Sequence, residues 1–351
     1  MRIFRKVLLS ILSFVLVTLI LSIVIIEPTI MNEWAYYCDS SLRDSLAGEI
    51  DFVFIGDSDG MTAFSPKEFD RITGMNSYNL SGSMVTYETE EYLLKKELAR
   101  NPVESVVIQI SHDMLSRKPS SEHADGDSVT YQRLRNPTDR MKFLFGCVPF
   151  HDWFDLESRL LITGFSNWKE ALTNGNIEKC DTIEKGHRNR PIKDQTLNED
   201  QIISLYNSEQ ISTSYEYEFY KEYIFIANMC KLYGCKVYFV VLPLPDYEVW
   251  KKAGWDDFSQ YVNEHFSIED VTVIDFNLLK ERYNLFSDAE SFVDAAHFSV
   301  EGSKQFTDAF SKLYLDIKFG KNISSRFYDS YEVMKNDSPY RKKLEQMGMQ
   351  K

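Results

Sequence analysis

"DFVFIGDSDGMTAFSP" (residues 51–66) decides how the rest of the chain is read. Four apolar residues in five run straight into Gly56-Asp57-Ser58. A short apolar run stopped by glycine is the pattern of a buried strand. A serine in the turn that follows stands at the strand's carboxyl end. It is either a delivered nucleophile or part of an ordinary polar turn. Free serine is a poor nucleophile and needs a base, so its partners elsewhere in the chain decide between the two.

Four more segments repeat the strand pattern: "MNSYNLSG" (75–82), "VESVVIQIS" (103–111), "CKVYFVVLPLP" (235–245) and "VTVIDF" (271–276). Between them lie stretches with helical apolar spacing. "VTYETEEYLLKKELARNP" (85–102) stops at a proline, and "SYEYEFYKEYIFIANMCKLYG" (214–234) stops at Gly234. "SVEGSKQFTDAFSKLYLDI" (299–317) closes the domain as an amphipathic helix. Strands alternating with helices predict an α/β fold in three layers, with a parallel sheet of about five strands. Ligands in such sheets sit beyond the carboxyl ends of the strands.

The alternation breaks between residues 115 and 215, which is too long for a bare loop. "SRKPSSEHADGDS" is polar and "DWFDLESRLLITGFSNWKEAL" reads as helix. This region is expected to be an inserted, mainly helical cap on a domain spanning 51–325. Residues 326–351 are a charged tail, either a peripheral helix or frayed. At the other end, "MRIFRK" precedes Val7–Ile26, a run of 20 residues without a charge. At 1.5 Å per residue the run matches a bilayer core of roughly 30 Å. A cleaved signal peptide would have a shorter apolar region and small residues at its end. The expectation is an uncleaved transmembrane anchor within residues 1–27 and a stalk over 28–50. The positive flank would stay cytoplasmic and the main domain would lie outside.

The net charge of −14, from 53 acidic and 39 basic residues, argues against a nucleic-acid partner, whose phosphates this surface would repel. Five cysteines leave at least one unpaired. Cys230 and Cys235 could form a local disulfide or serve as two small buried hydrophobes. His112, His123, His151, His187 and His265 lack metal-site spacing, so neither metal nor cofactor is expected.

The partners for Ser58 come from "SFVDAAHFSVEGSKQFT" (291–307), after the last strand. Asp294 and His297 are three residues apart, so the carboxylate can orient the imidazole. In a parallel sheet this segment and Ser58 meet on one edge. A developing oxyanion also needs donors. The N–H of Ser58 and that of Gly82 in "NLSGSM" (79–84) are the candidates.

These residues resemble the SGNH (GDSL-like) hydrolase superfamily. "FIGDSDG", "NLSGS" and "DAAHFSVEG" match three of its blocks in order, over residues 50–315. The resemblance implies a flavodoxin-like sheet, Ser58 as nucleophile, His297 as base, Asp294 as its partner and Gly82 in the oxyanion hole. The asparagine block departs from the pattern. "SHDML" follows the third strand, so Asp113 stands where the asparagine would sit. An ionised carboxylate cannot donate a hydrogen bond, which leaves His112 or Ser111 as the third donor, or two backbone donors alone.

The anchor, the insertion and the ending resemble the branches that act on cell-surface polymers, namely polysaccharide O-acetyltransferases and the D-alanyl transfer proteins of teichoic acid modification. The function implied is an extracytoplasmic serine esterase or O-acyltransferase on a surface glycan of a bacterium. A multi-span acyl exporter would be its partner if it transfers. Two alternatives stand beside it: a D-alanyl-type transfer or thioesterase protein, and a non-catalytic glycan-binding or assembly protein on the same fold. Around the site, Asp59 either tunes the serine or starts a helix with favourable charge. Asp246 and Tyr247 in "LPLPDYEVW" border the site or form a turn. Arg188 and Arg190 in "EKGHRNRPIKD" (184–194) bind an acidic substrate or belong to a solvated loop.

Overall fold

A computed structural model describes residues 2–21, 42–116, 124–134, 136–153, 156, 183–190, 199–206, 216–252 and 254–346. Helix α1 spans Arg2–Leu21. The domain then begins with β1 (Phe52–Ile55), α2 (Ser58–Ala63), α3 (Pro66–Thr73), β2 (Ser77–Asn79), α4 (Tyr87–Leu98), β3 (Ser105–Gln109) and α5 (His112–Ser116). The inserted region contributes α6 (Ala124–Arg133), α7 (Pro137–Cys147), a short hairpin of β4 (Ile183–Glu184) and β5 (His187–Arg188), and α8 (Glu199–Tyr206). The second half adds α9 (Tyr220–Leu232), β6 (Lys236–Val241), α10 (Asp246–Lys251), α11 (Trp255–Phe266), β7 (Val271–Asp275), α12 (Arg282–Leu285) and α13 (Val300–Lys318). Helices α14 (Tyr331–Asn336) and α15 (Pro339–Gln346) follow.

The main sheet has five strands in the order β2-β1-β3-β6-β7, all parallel. All five expected strands are present. β1 lies between β2 and β3, with Phe52 opposite Ser77 on one side and Ser105 on the other. The chain reverses its direction of build across β1 and β3, so the end of β1 is the switch point where α/β sheets place ligands.

Side chains alternate between the two faces of each strand, and each face is covered. Val53, Ile55, Val106, Ile108, Val237 and Phe239 pack under α4, α9 and α11. Phe52, Phe54, Val107, Tyr238, Val240 and Ile274 pack against α3 and α13. On that second face Phe306, Phe310, Leu313 and Tyr314 form one buried stripe of α13, the i, i+4, i+7, i+8 spacing of an amphipathic helix. α3 ends at Gly74 with φ +73°, a left-handed cap that favours glycine.

The charged stretch after residue 326 is packed over its first turns. Tyr331 and Met334 are buried, and the Tyr331 hydroxyl donates to Asp275 at 2.7 Å. Cys147, Cys230 and Cys235 are free thiols, and Cys235 Sγ donates to the Val103 carbonyl at 3.1 Å instead of bonding Cys230. Cys38 and Cys180 lie outside the described residues. Among the described residues no helix is long and apolar enough to cross a membrane. The expected span Val7–Ile26 runs past α1 into residues outside that set.

Candidate active site

Ser58 opens α2 directly after β1, and Asp57 is the N-cap. The turn is pinned from below by Gln109, the last residue of β3. Its Oε1 accepts from the Asp57 N–H at 3.2 Å and the Gly60 N–H at 2.8 Å. Its Nε2 donates to Asp57 Oδ1 at 2.9 Å, and the same oxygen accepts from the Asp59 N–H at 3.0 Å. A Cβ on Gly56 or Gly60 would lie 2.3 or 2.4 Å from Gln109 Oε1. Both glycines of "GDSDG" therefore make room for that amide.

His297 reaches Ser58 from the loop before α13. The loop is closed by the Val293 N–H donating to the His297 carbonyl at 2.9 Å. The Phe298 N–H ties it to α2 through Thr62 Oγ1 at 3.2 Å. Gly302 lets the next helix turn approach, since a Cβ there would meet the Ser291 carbonyl at 2.0 Å. His297 Nε2 lies 2.9 Å from Ser58 Oγ, and Nδ1 lies 2.9 and 2.8 Å from the two oxygens of Asp294. A carboxylate only accepts, so Nδ1 carries the proton and Nε2 is left to accept from the serine hydroxyl.

Partial burial pushes the Asp294 carboxyl up. The hydrogen bonds from the His297 ring and from the N–H groups of His297 and Ala296 outweigh this and hold it well below the usual carboxylate range. Asp59 Oδ1 stands 3.6 Å from His297 Nε2 on the serine side. The three residues thus have the contacts of a proton relay from a serine hydroxyl to a carboxylate-held imidazole.

Other predicted residues lie elsewhere or do other work. The Gly82 N–H, an expected oxyanion donor, donates to the Gly56 carbonyl at 3.1 Å, because the loop continues the β1–β2 ladder. His112 is buried in an aromatic box, stacked on Phe258 at 4.1 Å and edge-on to Trp255 at 4.4 Å. Its Nδ1 meets the Tyr217 hydroxyl at 2.8 Å. Burial, with Lys252 nearby, pushes its pKa down to about 3, so it stays a neutral packing residue. Ser111 Oγ accepts from the Met114 N–H at 3.2 Å, capping α5, and Asp113 is exposed.

Asp246 is not a rim residue. It is buried, accepts from the hydroxyls of Tyr283 (3.1 Å) and Ser338 (2.5 Å), and its own N–H donates to Asp288 at 2.7 Å. Tyr247 is also buried, packed with Ile202 of α8. Burial pushes its hydroxyl pKa up, with Glu248, Asp288 and Asp294 adding to the rise.

The basic segment is docked. The Lys185 carbonyl accepts from the Asn79 N–H at 2.9 Å, and Lys185 Nζ pairs with Asp70 at 2.5 Å. His187 Nε2 is buried within reach of Ser303 Oγ at 2.9 Å and the Thr62 carbonyl at 3.2 Å. Arg188 is half-buried in the same hairpin. Arg190 Nη1 donates to Asp294 Oδ2 at 3.1 Å.

Two contacts of the site lie outside what the sequence predicts: the Gln109 amide under the serine turn, and the pairing of Arg190 with Asp294. The available signal was a polar residue inside the otherwise apolar run "VVIQI", since buried polar groups are kept only with partners.

No family model matches the chain, and no curated protein sequence does. Among solved structures it is similar to a Streptococcus pneumonia protein provisionally described as a platelet activating factor. The identity is 11%, the TM-score is 0.35, and the match covers 81% of this chain and 92% of that one. The functional reading rests on the site's own geometry.

Proposed function

We propose that this chain is a serine ester hydrolase or O-acyltransferase of the SGNH type, acting on an acylated cell-surface glycan. The observation that carries the reading is the unbroken set of contacts from Ser58 Oγ through His297 to Asp294, at 2.9 Å and 2.8 Å. As Ser58 Oγ bonds to the acyl carbonyl carbon, its proton passes to His297 Nε2. The imidazolium then returns that proton to the departing alkoxide, and the acyl group stays on Ser58. Water, or a sugar hydroxyl, next gives its proton to His297 as its oxygen bonds to the acyl carbon, and the imidazolium passes that proton to Ser58 Oγ as the acyl–Oγ bond breaks. Water makes the chain an esterase; a sugar hydroxyl makes it a transferase, and an acyl-exporting membrane protein would then be the donor.

Membrane attachment through the N-terminus is part of the proposal. It is supported by the uncharged run from Val7 and by α1, whose described apolar side chains, among them Leu9, Leu12, Phe14 and Leu16, are exposed. A bilayer would cover them.

A fluorophosphonate probe tests the chemistry. Wild type should be labelled covalently and Ser58→Ala should not. Equal labelling of the two would refute the reading.

A further inference from the structure

The geometry points to His187, in the inserted β4–β5 hairpin, as a positioning residue that keeps Ser58 against His297. The inference rests on the serine-hydrolase reading and adds to it a residue from outside the three sequence blocks.

Ser58 and His297 come from separate elements, α2 and the loop before α13, so their 2.9 Å contact lasts only while those elements keep their spacing. The seam between them is closed at the far end of α2, one helical turn beyond the serine. There Thr62 Oγ1 accepts from the N–H of Phe298, the neighbour of His297 in the chain, at 3.2 Å. The Ala63 carbonyl accepts from the hydroxyls of Ser303 and Thr307 in α13, at 3.0 and 3.1 Å. The carbonyls of a helix's last turn have no partner inside the helix, and α2 is only six residues long. Side chains of α13 take the Ala63 carbonyl; the Thr62 carbonyl is left to His187 Nε2, at 3.2 Å.

The same nitrogen lies 2.9 Å from Ser303 Oγ. Ser303 has one hydroxyl proton, which goes to the Ala63 carbonyl, and a carbonyl only accepts. Nε2 therefore carries a proton and donates it both ways, to α2 through Thr62 and to α13 through Ser303. Burial lowers the pKa of His187 to about 4, so the ring is neutral and adds no charge to the seam. One buried donor from the insertion thus braces the helix of the nucleophile against the helix that follows the base. The hairpin that delivers it is docked by other contacts. Lys185 Nζ pairs with Asp70, and the Lys185 carbonyl accepts from the Asn79 N–H at 2.9 Å. Gly186 fits against β2 so closely that a Cβ would meet the Asn79 carbonyl at 1.7 Å. The ring can be replaced without undocking the hairpin.

The test is fluorophosphonate labelling of the full chain, with the saturating rate separated from the half-saturating concentration, for wild type, His187→Leu, His187→Met and His187→Gln. Circular dichroism checks that each variant folds. Leucine and methionine fill the space and donate nothing. A loosened seam should lower their saturating rate by about ten- to hundredfold. The half-saturating concentration should stay within about threefold, because no group that meets the probe has changed. Glutamine carries an Nε2 donor the same number of bonds from the backbone, and should bring the saturating rate back to within about threefold of wild type. A wild-type rate in both the leucine and methionine variants would overturn the inference while leaving the nucleophile in place. So would a loss carried by the half-saturating concentration, or a glutamine variant as slow as the leucine one. Failure of both His187→Leu and His187→Met to fold would also overturn it, because the hairpin's docking is assigned to other contacts. Absence of wild-type labelling would instead sink the serine-hydrolase reading itself.

Discussion

Replacing Gln109 by leucine should damage both the stability of the domain and the reactivity of Ser58, although the hydrogen bonds of Gln109 go to Asp57 and Gly60. The amide fills the space under the β1–α2 turn, and leucine fills nearly the same volume. What leucine lacks is the acceptor for the buried N–H groups of Asp57 and Gly60, at 3.2 and 2.8 Å. It also lacks the donor to Asp57 Oδ1 at 2.9 Å. Each orphaned buried group costs about 1–3 kcal/mol, and the Asp57 carboxylate keeps its Asp59 N–H bond. For the two N–H groups the sum is about 2–6 kcal/mol, a large part of the roughly 5–15 kcal/mol that holds a domain together.

Urea unfolding followed by tryptophan fluorescence should show a midpoint lowered by about 1 M or more. Fluorophosphonate labelling under native conditions should slow by about a hundredfold, because a relaxed turn no longer holds Ser58 Oγ against His297 Nε2. A midpoint within about 0.3 M of wild type together with an unchanged labelling rate would refute the role given to Gln109.

Asp294→Asn should lower the labelling rate by about three orders of magnitude, since the asparagine amide no longer fixes the Nδ1–H tautomer of His297; circular dichroism should stay unchanged. Asp288→Asn reports on a buried acid far less exposed than the triad. Burial, together with the neighbouring Asp246 carboxylate, pushes the pKa of Asp288 up to about 7. A folded pKa above the unfolded one means that the folded state holds the proton more tightly. Its contribution is therefore complete below about pH 4 and is lost as pH rises through about 7, by about 2–4 kcal/mol. The urea midpoint of Asp288→Asn should fall less than that of wild type between pH 5 and 8, and parallel slopes would contradict the assignment.

The strands were legible because parallel strands are buried on both faces and so read as unbroken apolar runs. "FVFI" and "VVI" need no partner to be recognised. The same logic found α13 by its spacing and the end of α9 at Gly234, which has φ +85°. The hairpin was not legible. Each of its strands has two residues, and "EKGHRNR" has the composition of a solvated loop. Its order comes from a fit to β2 that involves the Asn79 backbone and the missing Cβ of Gly186, neither of which leaves a mark in local sequence. Likewise the tail's charges concealed the two apolar residues, Tyr331 and Met334, that hold it down.

The site divides along the same line. Ser58, Asp294 and His297 could be singled out because a chemical role demands particular residue types at particular places. Gly82 and His112 stood at plausible positions, but position at a strand end does not say where an N–H or a ring points. The ladder takes the Gly82 N–H, and aromatic partners at least 105 residues away take His112. This yields an ordering of tolerance within the site. The serine turn is held by several buried bonds from Gln109 and by the Phe298–Thr62 tie, so it behaves as part of the core. Asp294 is nearly half exposed and depends on its own loop and on Arg190. Substitutions under the turn should therefore cost stability and reactivity together, whereas substitutions around Asp294 should change reactivity and leave the fold intact.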